Sequence, residues 1–425
     1  MEKQVLQFLS YSMSKKIAIV GAGFTGLYSA FLASEMGHQV ELYETSKYPG
    51  GVARDLSIEP NLKFIRGCHY LQKKSLFSET IHKKIKEKNF DEESLKYMSY
   101  CDLFSKKKNI LNDYPDLFFD GDIDLRLTKL KKNNLKSRID SYPKVISKPL
   151  FEWVSRFGIN CKDLVEDSNR NGLMFSRVYL KKNKNLNKFK AKKSNVDDLY
   201  GSRDYKKNRK VKTLLPKNGY DHFFNMYLKI LKKKNVKFFF KTPIKVNWKD
   251  KKNLEIMKFN NNIVCDNIIW TGIPTPLIKN YNNIKLDSAS INMRLLTFHL
   301  QGNLKQSFYI QVYSKKMSIT RIFFYKLSNT ICSTVECFDE NTKVKNIIDD
   351  INYVLKKFNF NLKIKNKKMF NDTCQKRYSI LTHHDKKTLI KFKKDTINSN
   401  LISGPWELYS REDKFKNIKK LITNL

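Results

Sequence analysis

The chain has no pair of cysteines in C-x-x-C spacing, which redox disulfides and many zinc sites use. Its seven cysteines stand at positions 68, 101, 161, 265, 332, 337 and 374. Their odd number and wide scatter exclude a disulfide framework, and the absence of a C-x-x-C pair disfavours a zinc site. We therefore expect reduced thiols, a cytoplasmic protein and no bound metal.

The sequence also lacks long apolar runs. No run approaches the roughly 20 apolar residues that a helix needs to span a bilayer, and residues 1–14 do not have the pattern of a signal peptide. Met13 stands just before the first apolar segment. Residues 1–12 are therefore expected to be an upstream extension or to reflect a misassigned start.

Acidic residues are scarce, since 41 Asp and Glu face 82 Lys and Arg in a chain of net charge +41. Such a balance is typical of proteins that bind nucleic acids or membrane surfaces. The lysines, however, are spread along the chain and occur with asparagine, as in KKNKNLNKFKAKK. We interpret them as solvated surface and expect no nucleic-acid partner. An attraction for an anionic small-molecule substrate, or a peripheral contact with lipid headgroups, stays open.

A glycine-rich turn follows the first apolar run. Residues 17–20 are uncharged and apolar, which predicts a parallel strand buried on both faces. Gly21, Gly23 and Gly26 come next in G-x-G-x-x-G spacing, which allows a tight turn, close approach to a pyrophosphate and close packing of the following helix. The other residues of this GAGFTG turn are Ala22, Phe24 and Thr25. The pattern predicts a dinucleotide site at a helix N-terminus.

An acidic residue ends the second predicted strand. Gly37 is expected to stop the helix, residues 38–43 to form the strand, and Glu44 stands at its end. A carboxylate at this position accepts hydrogen bonds from ribose hydroxyls and repels a 2′-phosphate. NADP is therefore disfavoured, while NAD and FAD both stay open.

Two further segments indicate close approach of the backbone to a ligand. Gly50 and Gly51 are adjacent and are followed by Arg54, although a turn and a surface ion pair would also explain them. In KFIRGCHYL, Gly67 again permits close approach, and His69 is a polar group among apolar neighbours. Such a histidine is more often a satisfied core residue than a catalyst.

The remaining pattern predicts an interrupted α/β protein. Residues 181–213 are too polar to bury and are expected to form a mobile loop or lid. Residues 214–248 predict a turn, an amphipathic helix and a strand, and residues 290–337 predict an antiparallel sheet. The expected divisions are 13–75 (first dinucleotide-binding segment), 76–213 (helical and loop-rich substrate and lid region), 214–280 (second dinucleotide-binding segment), 281–370 (β-rich substrate domain) and 371–425 (C-terminal dinucleotide-binding segment).

With these segments in order, the chain resembles the flavin-dependent amine-oxidase-like superfamily, in particular the branch of UDP-galactopyranose mutase and protoporphyrinogen-oxidase-like proteins. The specific match is GAGFTG, Glu44, Gly50-Gly51 and GCHYL, within residues 15–71. LPKNGYDHFF, FKTPIKV, CDNIIWTGIP and YIQVYSKKMSITRIFFY match more weakly. The resemblance implies an α/β fold with a discontinuous, GR2-type Rossmann-like FAD-binding domain and a second α+β substrate domain that carries an antiparallel sheet.

The resemblance also implies tightly bound FAD and assigns residues to it. His69 and Arg321 take the catalytic positions beside the flavin. The cofactor positions are Gly21, Ala22, Gly23, Phe24, Thr25, Gly26, Glu44, Gly50, Gly51, Arg54, Gly67, Cys68, Ile244, Thr271, Gly404, and Glu412 or Asp413. The chain departs from the family near its C-terminus, where Pro405 replaces the arginine of a Gly-Arg pair.

Three functions are compatible with these residues. The first is a flavoenzyme that acts on a nucleotide sugar in cell-surface polysaccharide synthesis. The second is an oxidase, dehydrogenase or desaturase of an amine, a porphyrinogen or a polyene. The third is a protein that binds FAD without catalysis, and the missing arginine favours it modestly.

Overall fold

A computed structural model gives the structure of the chain. It describes residues 14–59, 62–67, 69–73, 75–76, 81, 84–85, 89–94, 96–104, 110–112, 116–127, 131, 134–158, 160–164, 177–180, 194–201, 212–286, 289–338, 341–365, 370–380, 382–408 and 410–425.

The described helices are α1 (Phe24–Glu35), α2 (Leu135–Ile139), α3 (Lys144–Ser155), α4 (Ser194–Leu199), α5 (Gly219–Lys232), α6 (Thr275–Asn282), α7 (Val344–Lys357), α8 (His383–Asp395) and α9 (Arg411–Thr423). The described strands are β1 (Lys16–Val20), β2 (Gln39–Tyr43), β3 (Leu56–Glu59), β4 (Leu62–Phe64), β5 (Leu71–Gln72), β6 (Phe90–Ser94), β7 (Lys96–Cys101), β8 (Ile110–Asn112), β9 (Leu117–Phe119), β10 (Val178–Leu180), β11 (Tyr200–Gly201), β12 (Lys212–Pro216), β13 (Lys237–Phe239), β14 (Lys245–Trp248), β15 (Leu254–Lys258), β16 (Asn261–Asn262), β17 (Asn267–Trp270), β18 (Ala289–Gly302), β19 (Phe308–Tyr313), β20 (Ile319–Leu327), β21 (Thr330–Cys337), β22 (Leu362–Ile364), β23 (Phe370–Ile380) and β24 (Leu401–Ser403).

A parallel sheet carries the glycine-rich turn. Its described strands follow the order β13-β2-β1-β17-β24, and all four pairings are parallel. Ile17, Ala18 and Ile19 are fully buried because helices and loops cover both faces of the sheet. The predicted strand, glycine turn, helix and second strand are confirmed as β1, α1 and β2. The sheet also confirms the predicted Rossmann-like, discontinuous α/β fold, since its strands come from four separated parts of the chain.

A second, mostly antiparallel sheet forms the other layer. Its described strands follow the order β22-β18-β21-β20-β19-β7-β8, and β23 also pairs with β18. β7 and β19 pair in parallel, while β19, β20 and β21 are antiparallel neighbours. The predicted antiparallel sheet is thus confirmed. Alternate residues of β19, including Ile310 and Val312, pack with Ile347 and Ile351 of α7, so the intervening side chains face the opposite side.

The prediction for the middle of the chain is partly wrong. Helices and loops were expected over residues 76–150, but β6 to β9 lie there as well. Residues 194–201 also form α4 and β11 instead of belonging to a mobile loop. Val196, Leu199 and Tyr200 are fully buried there, and the Tyr142 hydroxyl donates to the Leu199 carbonyl at 2.9 Å. These few apolar residues suffice to anchor a strongly polar segment. Residues 212–213 begin β12 instead of ending a loop. The rest of the predicted loop, 181–193 and 202–211, lies outside the described residues.

The predicted amphipathic helix is confirmed as α5. Phe223, Phe224, Tyr227 and Leu231 are fully buried, and Ile230 is half-buried. The helix packs against the parallel sheet layer, where the Tyr227 hydroxyl donates to the Leu27 carbonyl of α1 at 3.0 Å. Nowhere in the described ranges does a helix combine the length and apolar character that crossing a membrane requires.

Candidate functional site

A cavity of about 730 Å³ lies at the carboxyl edge of the parallel sheet. β1 continues through α1 to β2 on one side and pairs with β17 on the other, so the edge between β1 and β17 is a topological switch point. Ligands of open α/β sheets bind in the crevice at such a point. The cavity extends from the GAGFTG turn to the face of the antiparallel sheet that α7 does not cover.

Two glycines of the turn have no room for a side chain, whereas the third has. Gly21 has φ +104°, and a Cβ there would lie 2.9 Å from the Thr271 hydroxyl oxygen. A Cβ on Gly26 would lie 1.8 Å from the Gly21 carbonyl oxygen. At Gly23, by contrast, a Cβ would meet no atom within 4 Å. The turn therefore presents bare backbone to the cavity at Gly23, beside the N-terminus of α1.

The carboxyl ends of β17 and β24 complete this edge. The Thr271 hydroxyl donates to the Val20 carbonyl at 3.1 Å. The Gly404 amide donates to the Trp270 carbonyl at 2.9 Å, and the Trp406 indole donates to the Gly272 carbonyl at 2.8 Å. Three segments that are far apart in sequence are thereby fixed to one another.

Glu44 closes the loop around the glycine turn. Its carboxylate accepts hydrogen bonds from the Ala22 amide at 2.7 Å and from the Ser46 amide at 2.8 Å. The Thr242 amide donates to the Glu44 carbonyl at 2.9 Å, which brings the half-buried Ile244 near this loop. Since a carboxylate offers about four lone-pair sites, two of them stay available for a ligand.

The segments around residues 50 and 67 approach the turn closely. The Gly50 amide donates to the Ala22 carbonyl at 2.8 Å, and a Cβ on Gly51 would lie 3.5 Å from the Gly23 Cα. Arg54 stacks over the Tyr48 ring at 4.5 Å.

His69 lies against the cavity beside Tyr220. Gly67 has φ +85° and accepts a hydrogen bond from the His69 amide at 2.9 Å. The His69 and Tyr220 rings meet edge to face at 6.3 Å. Cys68 lies outside the described residues.

The antiparallel sheet contributes a polar, tyrosine-rich wall. Tyr309, Gln311 and Tyr313 alternate along β19 and line the cavity. Arg321 is the direct neighbour of Gln311 on β20, and its Nε donates to the Gln311 side chain at 3.1 Å. The buried Glu336 carboxylate lies 3.7 Å from the same nitrogen. Arg321 is therefore held in place, and its charge is compensated within the protein.

The N-terminus of α9 forms the last part of the wall. The Ser410 hydroxyl caps the helix by accepting from the Asp413 amide at 3.2 Å. Glu412 lines the cavity and accepts from the Leu76 amide at 3.2 Å, whereas Asp413 is exposed. Arg411 also lines the cavity. Of the two acidic candidates, the structure brings Glu412 to the cavity.

The cavity brings together about half of the site residues that the sequence indicates. Those that line it are Gly23, Phe24, Thr25, Gly26, Gly50, His69, Thr271, Arg321 and Glu412. The other described candidates are not among the residues that line it, and these are Gly21, Ala22, Glu44, Gly51, Arg54, Gly67, Ile244, Gly404 and Asp413. Among the described residues, no group of three or more His, Cys, Asp or Glu side chains is arranged to hold a metal ion.

Comparison with known proteins agrees with this geometry. The model of the NAD(P)-binding Rossmann-like domain family matches residues 19–80. A comparison with the curated proteins found no match. Among solved structures, a reduced UDP-galactopyranose mutase superimposes with a TM-score of 0.68 at 13% identity, over 97% of this chain and 96% of that one. The chain shares the fold of this mutase.

Two further structures have the same fold with lower scores. One is described as a protoporphyrinogen oxidase from Exiguobacterium sp., with a TM-score of 0.59 at 11% identity over 97% of this chain and 98% of that one. The other is a CLA-producing fatty acid isomerase from P. acnes, with a TM-score of 0.55 at 11% identity over 97% and 100%. The fold that the resemblance implied is therefore confirmed over nearly the whole chain.

Several cavity residues were not indicated by the sequence analysis. Tyr309, Gln311 and Tyr313 carry a usable signal, because they alternate on the strand next to Arg321. For Arg411 the available signal is the S-x-x-D helix start of Ser410 and Asp413, which places Arg411 in the first turn of α9. Tyr70 and Asp116 also line the cavity and have no such signal.

Proposed function

We propose that the chain is an FAD-dependent enzyme whose cofactor lies in the 730 Å³ cavity. The proposal rests on the residues that form the two ends of the cavity. One end is the glycine turn at the helix N-terminus, which suits a diphosphate, and the other end is a polar wall with Arg321 and Tyr309. FAD has a nucleotide moiety and a reactive ring system that match two such ends.

The residues present fit this cofactor. Open space next to Gly23 leaves its backbone accessible, and Glu44 keeps lone pairs that can accept ribose hydroxyls beyond its two amide partners. The division into residues 13–75, 76–213, 214–280, 281–370 and 371–425 belongs to the same proposal, as does a cytoplasmic location. In its support, the five cysteines whose side chains are described form no disulfide with one another.

For the reaction we propose a small anionic substrate such as a nucleotide sugar of polysaccharide synthesis. When bound, FAD supplies a centre that exchanges electrons or forms a bond with the substrate. Arg321 is oriented by Gln311 and Glu336 and lines the cavity, so its guanidinium can approach a substrate oxygen. His69 lies on the same cavity and can donate or accept a proton there.

A redox reaction is the second candidate, and the aromatic wall favours a substrate with an apolar or unsaturated surface. The Tyr97 ring meets Tyr309 edge to face at 4.9 Å and Tyr70 at 6.0 Å. Such a cluster suits an amine, a porphyrinogen or a polyene that packs on aromatic faces.

The cofactor proposal is tested with Gly23→Val. Gly23 has φ −74° and ψ −177°, an extended conformation that valine adopts readily. Its side chain would project into open cavity, so the variant should fold normally and lose FAD binding. The measurements are flavin absorbance after purification, titration with FAD, and circular dichroism. A wild-type protein that is colourless and takes up no added FAD would contradict the proposal.

The reaction is tested with the flavin-loaded protein. Reduced protein should interconvert the pyranose and furanose forms of a UDP- or dTDP-sugar, and Arg321→Gln should slow this at least 10-fold, because a charge-assisted contact is lost. Arg126→Gln, an exposed side chain paired with Asp124, is the control. Oxygen or quinone consumption with an amine or polyene would instead favour the second candidate. A flavin-loaded protein without either activity would be a binder.

A further inference from the structure

Two arginines line the cavity, and they differ in how their charge is compensated. Arg321 has the Glu336 carboxylate 3.7 Å away and the Gln311 oxygen at 3.1 Å. Arg411 donates from Nη1 to the Tyr70 carbonyl at 3.2 Å and stacks over the Phe24 ring at 4.4 Å. In the part of the chain that the structure describes, no carboxylate forms an ion pair with Arg411.

Arg411 is half-buried in the cavity wall, and its partial loss of water makes this arrangement costly. Desolvation lowers the pKa of its guanidinium, against a smaller opposite effect of Tyr220 and Tyr70. A cation removed from water without an opposite charge destabilises a protein unless a ligand supplies that charge. The neighbouring Glu412 does not supply it, since its carboxylate accepts from the Leu76 amide.

The surrounding backbone adds to the positive potential. Arg411 is the first residue of α9, so its charge lies at the positive end of that helix dipole. Tyr28 of α1 and Phe415 of α9 pack with ring centroids 4.9 Å apart, and Phe24 is the first residue of α1. Two helix N-termini and one arginine therefore converge on one end of the cavity, next to the glycine turn.

We propose that Arg411 binds a diphosphate group in this cavity. Its planar guanidinium can form two parallel hydrogen bonds to phosphate oxygens, and its place beside Phe24 of the GAGFTG turn is where a dinucleotide diphosphate would lie. The inference rests on the proposed function, because FAD and nucleotide sugars both carry a diphosphate.

The test compares Arg411→Gln and Arg411→Lys with Arg126→Gln. FAD and riboflavin, which has no phosphate, are titrated by flavin fluorescence. Arg411→Gln should weaken FAD binding about 10- to 100-fold and riboflavin binding less than about 2-fold, because only charge-assisted contacts to phosphate are lost. Arg411→Lys should recover some of the affinity, and Arg126→Gln should match the wild type. Equal weakening for both flavins would overturn the proposal by showing a structural role.

Two further ligands, UDP and inorganic pyrophosphate, distinguish whether the bound diphosphate belongs to FAD or to the substrate. If UDP binding to the flavin-loaded protein weakens 10-fold or more while FAD binding does not change, the diphosphate belongs to the substrate, and the proposal holds. Inorganic pyrophosphate, which needs no flavin site, should raise the melting temperature of the wild type and of Arg126→Gln but not of Arg411→Gln. If pyrophosphate stabilises the protein in this way but the protein takes up no FAD, Arg411 binds diphosphate and the proposed function is wrong. If Arg411→Gln binds FAD, UDP and pyrophosphate as the wild type does, the inference about Arg411 is wrong, and the proposed function is unaffected.

Discussion

Two carboxylates next to the cavity are held by backbone amides in different surroundings. Glu44 is partly exposed and accepts from the amides of Ala22 in the glycine turn and of Ser46 in its own loop. Asp55 is buried, and one of its oxygens accepts from the Asp221 amide at 2.9 Å. Its other oxygen is buried without a hydrogen-bond partner. Burial therefore dominates at Asp55 and raises the pKa of this carboxyl to about 7.

The charge of Glu44 should matter for FAD affinity. Glu44→Gln keeps the size of the side chain but places an amide NH₂ where a carboxylate oxygen accepts, so one amide loses its acceptor and the ribose site loses its charge. We expect FAD affinity to fall about 10-fold and stability to fall by about 1 kcal/mol. FAD titration and urea unfolding measure the two effects. Glu255→Gln, on a surface ion pair with Lys249, should change neither, and an unchanged FAD affinity in Glu44→Gln would show that Glu44 does not contact the cofactor.

Asp55 should make stability depend on pH between about 4 and 7. In the unfolded chain its carboxyl loses the proton near pH 4, whereas the folded protein keeps it up to about 7. The unfolded state thus binds fewer protons in this range, so the free energy of unfolding falls as the pH rises, by up to about 4 kcal/mol, and levels off above pH 7. Asp55→Asn should remove this fall. Urea unfolding from pH 4.5 to 8 would show it, with the exposed Asp395→Asn as control. Parallel curves for wild type and Asp55→Asn would contradict the expectation.

At the scale of elements, the first turn of α5 is hydrogen-bonded to the loop between β2 and β3. The Asp55 amide donates to the Asp221 carboxylate at 3.2 Å, while Asp55 accepts from the Asp221 amide. Gly219 begins the helix with φ +82°, and a Cβ there would lie 2.3 Å from an Asp55 carboxylate oxygen. The helix start thus depends on a glycine both for its backbone angle and for the space that Asp55 fills.

Gly37 and Gly219 have nearly the same φ, so replacing each with alanine distinguishes backbone strain from the collision with Asp55. Gly37 has φ +83°, and a Cβ there would meet no atom within 4 Å. Gly37→Ala should therefore cost only the conformational strain, about 1 kcal/mol. Gly219→Ala should cost that plus the collision with Asp55, in total more than roughly 3 kcal/mol. Denaturant unfolding of both variants measures the difference, and equal costs would mean that Asp55 moves aside freely.

Elements that rest on local patterns could be predicted from the sequence. β1, α1 and β2 follow from a buried apolar run, glycine spacing and a helix stop within 30 residues, and α5 follows from its apolar period. β7 could not be predicted, since a short strand gains its stability from β19, about 200 residues later. The same distinction applies to the site. The glycine turn is a local motif. Whether a carboxylate compensates the charge of Arg321 or Arg411 depends instead on which residues the fold places beside each arginine.

At the scale of the whole molecule, the cavity joins the two sheets. Its walls come from the glycine turn, from β19 and β20, and from α9. A ligand that contacts all of these walls stabilises them together, because it binds the folded state alone.

FAD should therefore protect distant elements to a similar extent. At 100 times its dissociation constant we expect about 2.7 kcal/mol of added stability. Amide hydrogen exchange should slow in β19, β20 and α9 as well as in α1, and α7, which lies behind the second sheet, should respond only through global unfolding. Protection confined to α1 and β2 would indicate that the ligand occupies only the nucleotide end.

The position of α9 in the chain has a consequence for the time course of synthesis. Tyr28 of α1 is fully buried, and Phe415 of α9 packs on it. A ribosome that adds about 5 to 20 residues per second takes roughly 20 to 80 s to proceed from α1 to α9. During this interval the nascent α1 lacks its cover, and β17 and β24 arrive late as well. The growing chain thus carries a glycine turn without its complete pocket until α9 has been synthesised and can pack on α1.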